Sequence, residues 1–516
     1  MFIKGFWLGL GVEISGCRGF MKRDTKQILN IKKYIKNDVW DDFWKDIIDY
    51  EDLLEEPVIL EKNYVNSQLR ILDIPKPTKV LRPGHYITFL DRIYYFKLLL
   101  DFCYKIDKKL SKKTVSYSYR LAKNNSNFLE NNIDNWLHFS RRQEEEFTKN
   151  PDWIMVETDI TAFFEHIVIA KLANRIKILN EDAKNLNSLL QNWAGELPIG
   201  IPQGNDVSSY LANLYLDEVD KAMIHSGYIY FRFTDDIRIF VKDENEAEKS
   251  LIKLTTCLRP LNLHLNSSKT KLITKVIFED EKNTFAQEMV EIEYGLEKDK
   301  IINLTENEKK DLGKKLKKVF SSSISKDSVN DRNFTFCINR FKQINSNHPL
   351  NKILKLEKWN ASIVKTVCDY FIKLSLNNLP KVKQKIVEEY NKTNYEYVKI
   401  HLLRCLIFAK KDSSILDINY KDDLKSYNFL LRGYVAIFGF KFLDETKQNF
   451  IIDDIIRYQL HDHEFIRYVV IGSNFIINSH KRQNLQKIIS SQYPNYSKLF
   501  DKNIRRNSNL YKVVNG

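Results

Sequence analysis

Apolar residues recur along this chain with two different periods, and the change from one to the other divides it. Before residue 300, short runs such as Trp153-Ile154-Met155-Val156 and Tyr228-Ile229-Tyr230-Phe231-Arg232-Phe233 read as strands, and helical stretches lie between them. A mixed domain with both element types is expected there, of α+β class. Afterwards the period lengthens. Ala361 to Leu376, Val382 to Tyr390, Tyr397 to Ala409, Asp423 to Phe438, Asn449 to Leu460 and Phe465 to Ile477 carry apolar residues three and four apart, separated by Asn, Lys, Asp and Ser joints. That half predicts an all-α array or irregular solenoid, although no repeat of fixed period runs through it. Most of the 16 glycines and 11 prolines lie in the first half, which agrees with the change of style. The expected boundary falls between Leu296 and Asn307, after the last strand-like run, Val290 to Tyr294. Three parts follow: an N-terminal extension with a helical segment over 1–69, the mixed domain over 70–300, and the helical domain over 301–516.

Length and composition fit this division. A chain of 516 residues exceeds what one core supports, and 43% hydrophobic residues suffice to pack two. With 81 Lys+Arg against 67 Asp+Glu, the formal charge of +14 favours polyanions such as nucleic acid. The six cysteines are widely separated and show no CxxC or Cys/His spacing, so neither a zinc site nor a disulfide framework is expected. A reducing cytoplasm suits them. The apolar stretch after Lys4 meets Glu13 too early to span a bilayer, and no later run is apolar enough, so no membrane partner is expected.

The candidate chemistry is carried by carboxylates. Asp235-Asp236 interrupts the apolar pattern Tyr230 to Val241, whose flanks read as two strands of a hairpin, and Trp153 to Val156 runs as a strand toward Asp159. Alone, Asp-Asp at a hairpin turn is an ordinary solvated turn. Three acids at strand ends are, however, what two Mg²⁺ ions need, because hard oxygen ligands can hold such ions about 3.5–4 Å apart around an in-line phosphoryl displacement.

The order of these elements resembles the palm of reverse transcriptases. Thr158-Asp159-Ile160-Thr161-Ala162-Phe163-Phe164 resembles the first palm motif, and Phe233-Thr234-Asp235-Asp236 the Tyr-x-Asp-Asp box with Phe for Tyr. Between them, Gly200-Ile201-Pro202-Gln203-Gly204-Asn205 and the residues to Leu214 are similar to the Pro-Gln-Gly loop and its helix. Leu263 to Lys271 is similar to the motif that places a lysine, here Lys269, near the triphosphate. Upstream, Ile74 to Pro83, then Leu90 to Ile93, and Val115 to Leu121 resemble fingers motifs.

The resemblance covers roughly residues 70 to 300 and implies a right-hand fingers-and-palm fold. It implies Asp159, Asp235 and Asp236 as catalytic acids, with Ile160 beside them at the metals. Two Mg²⁺ ions are the implied cofactor, with Mn²⁺ able to substitute. Lys79, Arg82, Phe163, Phe164, Gln203, Gly204 and Lys269 would meet the nucleotide, and Arg120, Pro202 and Asn205 template or primer. Phe164 lies five positions after Asp159, where a bulky side chain excludes the 2′-hydroxyl and selects dNTPs; Phe163 is the competing choice.

No ribonuclease H segment, zinc-finger endonuclease or Val-Thr-Gly triplet after Lys269 follows. A polymerase core with a helical appendage resembles the abortive-infection and defence-associated reverse transcriptases of bacteria, including those of P2-type prophages. That likeness implies phage defence, synthesis without a template or from a noncoding RNA, priming from a tyrosine such as Tyr34, Tyr50, Tyr64 or Tyr511, and homo-oligomers of three or six chains binding DNA, RNA or both. A retron-type enzyme copying an RNA is the alternative. A rival activity rests on Arg457-Tyr458-Gln459-Leu460-His461-Asp462-His463, loosely similar to an RNase motif in which His463 would act as acid and base. A metal site at His461 and His463 is a weaker reading.

Overall fold

The computed structural model describes residues 29–35, 64–76, 78–123, 127–179, 181–283, 305–324, 329–374, 380–409 and 418–493. The chain divides into two compact units, one built on His85–Glu279, the other on Ile71–Gly84 and the residues from Asp280 onward. The first 28 residues, the run Val290 to Tyr294, most of the expected boundary, Pro77, Tyr50 and Tyr511 lie outside the described residues.

A two-stranded hairpin comes first, β1 (Arg70–Pro75) with β2 (Leu81–Tyr86), and its Ile71–Gly84 portion belongs to the second unit. The sheet of the first unit contains β3 (Ile154–Asp159), β4 (Ile229–Phe233), β5 (Asp236–Val241) and β6 (Lys271–Ile273), in the order β4-β5-β3-β6 with antiparallel neighbours throughout. Both faces are covered, which explains why β4 and β5 read as continuous apolar runs. On one face Met155, Phe231, Phe240 and Ile273 pack with Phe139 and Phe147 of helix α1 (Asn132–Lys149). From the other face Tyr230 reaches Asp220, donating its hydroxyl at 3.0 Å.

Four further elements position the site. Helix α2 (Phe163–His166) is a single turn after β3, entered through Ala162 at φ 45°. Helix α3 (Asp206–Tyr215) is buried nearly all round, and α4 (Asp217–His225) carries Asp220. Helix α5 (Glu244–Leu258) packs on β5 and β3.

From residue 305 onward the second unit is built of helices, apart from one isolated bridge, Ile324 with Val329, among the described residues. Among them are α6 (Glu306–Ser322), α7 (Asp331–Gln343), α8 (Ala361–Lys373), α9 (Pro380–Lys392), α10 (Glu396–Ile407), α11 (Phe429–Phe442), α12 (Glu445–Tyr458) and α13 (His463–Gly472), with a short helix Leu350–Leu354 and a last one Ser479–Gln492 besides. A row runs α6, α7, α8, α10, α11, α13, each packed on the next, with α9 and α12 flanking it, so the expected helical array is what forms. Its Asn and Asp joints are caps: Asn330, Asn360, Asn428, Asp444 and Asp462 each accept hydrogen bonds from the first-turn N–H groups of the helix they precede. Close approach does the rest. A Cβ on Gly433 of α11 would lie 2.5 Å from Tyr468 Cγ of α13.

Among the described residues no helix is long and apolar enough to cross a membrane. For the rival activity, Arg457 lies in the last turn of α12 and His463 opens α13, with a side chain outside the described part of the structure. His461 between them is exposed.

Candidate active site

Strand register brings the three acids together. Asp159 ends β3 opposite Asp236, which opens β5, while Phe233 of β4 pairs with the same Asp236 and leaves Thr234-Asp235 as a two-residue turn. The Ile160 N–H donates to the Asp235 carbonyl at 3.3 Å, tying the turn to the exit of β3. On the other side, Ile160 bridges Leu265, Thr161 N–H donates to His264 O at 2.9 Å, and Asn266 N–H donates to Asp159 O at 2.8 Å. A 3-10 turn, Ser267–Lys269, then delivers the Lys269 ammonium to 2.6 Å from Asp159 Oδ2.

The electrostatics follow from crowding. Burial pushes the Asp235 carboxyl up to about 6, and the Asp159 and Asp236 charges add to it. Asp236 is raised as well, again chiefly by burial, against the opposing pull of Arg238. The bond to Asp159 raises Lys269, whose side chain stays 59% exposed. Among the described residues no three His, Cys, Asp or Glu side chains converge into a metal-holding group. The carboxylate oxygens of Asp159, Asp235 and Asp236 are the donor type that would suit an ion of the Mg²⁺ kind, which keeps waters and binds one or two carboxylates together with substrate phosphates. The hard oxygen donors and their mutual repulsion supply what such a cation needs.

Residues 74–320 match the family model described as reverse transcriptase (RNA-dependent DNA polymerase). Residues 74–320, just under half of the chain, are thus similar to a reverse transcriptase domain. Members of that family are RNA-directed DNA polymerases, a class of nucleotidyltransferase, and generally use divalent metal ions. No curated protein matches the sequence. Among solved structures, telomerase from Candida albicans, in complex with a fragment of telomeric RNA, is similar at 12% identity and a TM-score of 0.31, covering 64% of this chain and 64% of its own. Apo telomerase from Candida tropicalis is similar at 11% identity and a TM-score of 0.31, covering 84% of this chain and 73% of its own. This chain thus spans less than two thirds of the first of them, and likeness of that order carries no argument.

Within residues 74–320 the Pro-Gln-Gly loop is bent by two glycines, Gly200 at φ 89° and Gly204 at φ 94°. It is sewn to α2, because Ile201 N–H donates to Phe164 O at 3.0 Å and Gly200 N–H to Ile167 O at 2.8 Å. Pro202 is buried, whereas Gln203 and Gly204 are half-buried. The Gln203 N–H donates to Nδ1 of His85 at 3.1 Å. Burial lowers that imidazole to about 4, so it stays a neutral acceptor.

Two expected nucleic-acid contacts are placed otherwise. Asn205 is buried and caps α3: its Oδ1 accepts from Ser208 N–H at 2.8 Å and its Nδ2 donates to Pro202 O at 3.0 Å. Arg120 is buried too, with its guanidinium held by the Asp107 carboxylate at 3.0 Å and by the Ser111 carbonyl at 2.6 Å. Both side chains are committed inside the fold. Phe163 and Phe164 are both buried, with ring centroids 5.6 Å apart, so burial does not separate the two candidates for the sugar contact.

Lys79 and Arg82 belong to the second unit, on the β1–β2 hairpin. Lys79 is exposed, holds φ 68°, and its carbonyl accepts from the Tyr395 hydroxyl at 3.2 Å. Of the tyrosines, Tyr64 donates to Asp91 at 2.8 Å and Tyr34 is buried, so neither hydroxyl is presented to solvent as a primer would be. Sequence reasoning missed His85, Ser118, Asn213, Asp220 and Arg232 as supports of the site. Their only signal is a polar residue inside or beside an apolar run, which is clearest for Arg232.

Proposed function

We propose that the chain is a DNA polymerase that extends a primer 3′-hydroxyl with dNTPs by a two-metal mechanism. The observation that carries the proposal is the meeting of Asp159, Asp235 and Asp236 at paired strand ends with Lys269 against Asp159. These carboxylates, with Ile160 beside them, would hold two Mg²⁺ ions, or Mn²⁺ in their place, supplying a more acidic 3′-hydroxyl and neutralising the triphosphate. Lys269, mostly exposed, exchanges its carboxylate partner for a phosphate oxygen when a triphosphate arrives. Phe164 lies under the sugar and bars a 2′-hydroxyl, while the half-buried Gln203 and Gly204 line the approach. Lys79 and Arg82 grip the phosphates, by resemblance alone.

We infer that this activity serves abortive infection against phage, from a homo-oligomer of three or six chains in the cytoplasm, with DNA, RNA or a noncoding RNA as its nucleic-acid partner. Support for this part is the architecture of a polymerase domain followed by a helical array in a basic chain of net charge +14. Incorporation of labelled dNTPs by purified protein with Mg²⁺, with and without added template, tests the chemistry. Incorporation that Asp235→Ala abolishes is the expected result, and a wild-type chain inactive under every template condition would sink the proposal. Plating of phages on cells expressing wild type or Asp235→Ala tests the defence role, which fails if the two plate equally.

A further inference from the structure

The turn that carries Asp235 is built against its own residue preference. Thr234, first of the two turn residues, holds φ 59°, while Asp235 keeps a negative φ. Two-residue hairpin turns with that sign pattern take Gly at the first position, because a side chain there meets the backbone. A β-branched residue is the poorest choice. Something outside the turn must hold it, since strained backbone of this kind persists only where its surroundings over-determine it.

The holder is a neighbouring extended segment. Ser116 forms a parallel bridge with Arg232 of β4; Arg232 N–H donates to Val115 O at 2.8 Å and Tyr117 N–H to Arg232 O at 3.0 Å. Two residues further on, the fully buried Ser118 Oγ accepts from Thr234 N–H at 2.7 Å and from the Thr234 hydroxyl at 3.2 Å. The Thr234 carbonyl in turn accepts from Arg232 Nη1 at 3.1 Å, and that guanidinium is locked between Asp220 and Asn213. The N–H, hydroxyl and carbonyl of the strained residue are thus all bonded, and two of those bonds end on one serine oxygen.

We propose that Ser118 is a positioning residue for the reaction: it clamps Thr234 in its disfavoured conformation, so that the turn holds Asp235 and Asp236 beside the end of β3 that carries Asp159. The inference rests on reading these three acids as the metal-holding carboxylates. It adds that their alignment is supplied from a segment remote in sequence, and that Ser118 acts through Thr234 without touching substrate.

The test separates alignment from folding. Mn²⁺ binding, alone and with dATP, is measured by electron paramagnetic resonance on the full chain, beside dNTP incorporation as a function of Mg²⁺. Ser118→Ala is expected to weaken Mn²⁺ binding and lower kcat by about tenfold or more, since a displacement on the order of 1 Å at a catalytic group costs up to about a hundredfold. It should melt like the wild type. Adding Thr234→Gly to Ser118→Ala is expected to restore most of both, because Gly adopts positive φ without help. Should Ser118→Ala not fold, Ser118→Cys, with its weak sulfur acceptor, takes its place with the same expectation. A folded serine variant with wild-type Mn²⁺ affinity and Mg²⁺ dependence would overturn the clamp and leave the carboxylate reading standing, as would a double variant no better than the single one. A wild-type chain that binds no Mn²⁺ would overturn both.

Discussion

The unit that carries the β-sheet and the helical unit handle charge and strain in opposite ways. In the first, unfavourable features are gathered at one place: two carboxyls raised by desolvation and by the neighbouring Asp159 charge, a threonine and an alanine at positive φ, and a lysine held by a single carboxylate. In the second, the ion pairs Arg404–Asp369, Lys399–Asp423 and Arg432–Asp462 join helices at 2.5 to 2.7 Å, and Asn or Asp caps open the helices. Locally consistent structure is the norm for a stable fold, and departures from it concentrate where function requires them. The contrast teaches where substitutions will cost activity and where they will cost stability.

The largest break in that contrast is at Asp235. Asp235→Asn is expected to reduce incorporation by about a thousandfold or more, on the scale of removing a principal electrostatic group. The same change should raise the melting temperature in metal-free buffer above pH 6, where the wild-type carboxyl, pushed up to about 6, is charged at a cost. Calorimetry beside the incorporation assay checks both, and a variant that is inactive but less stable would contradict the contrast.

In the helical unit the largest effect is steric. Gly433→Ala places a methyl where Tyr468 already stands, 2.5 Å from its Cγ, and should destabilise by about 1–3 kcal/mol. Gly313→Ala in α6, with nothing within 4 Å of the added Cβ, should be neutral or stabilise by about 0.5–1 kcal/mol. Urea melts of the two variants read the difference, and equal effects would refute the packing argument.

Histidines sharpen the comparison through pH. Burial lowers His401 of α10 well below its ordinary range, and lowers His85 in the sheet-bearing unit to about 4. A folded-state pKa below the unfolded value means the unfolded chain binds the extra proton first, so stability present above about pH 6.5 is lost as pH falls. For His85 the loss runs from there to about 4, and His401, lowered well below its ordinary value by burial, loses stability in the same direction. Melting temperatures at pH 7.5 and 5.5 should fall less for His401→Gln than for wild type. An unchanged pH slope would show that the imidazole is not held neutral.

How much of this was legible beforehand depends on whether a property is periodic or relational. Val382 to Tyr390 lies within the observed Pro380–Lys392, and Tyr397 to Ala409 nearly coincides with Glu396–Ile407, because apolar spacing reports a buried helical face. Asp423 to Phe438 was read through a break: a 3-10 turn ends at Lys425, and Asn428 caps a new helix at Phe429. The strand ends carrying Asp159 and Asp236 were visible in the same way. What Arg120 and Asn205 bond to was not, since a motif gives a residue's place in the chain and not the partner that satisfies it. Nor could spacing join the β1–β2 hairpin to the helices, or Ser118 to Thr234, which are contacts between segments far apart in sequence.

The smallest prediction tests the helical unit's consistency at a buried hydroxyl. Tyr468 of α13 is 1% exposed and packed into the groove left by Gly433, and its hydroxyl has no hydrogen-bond partner among the described residues. A buried hydroxyl without a partner forfeits its bonds to water on folding and receives nothing in return. Tyr468→Phe keeps the ring against Gly433 and removes that loss, so it should stabilise by about 1 kcal/mol and leave incorporation unchanged. A destabilised variant would mean that the hydroxyl is satisfied in solution, by a water or a group outside the described residues, and that the helical unit is as fully paired at this helix as at its caps.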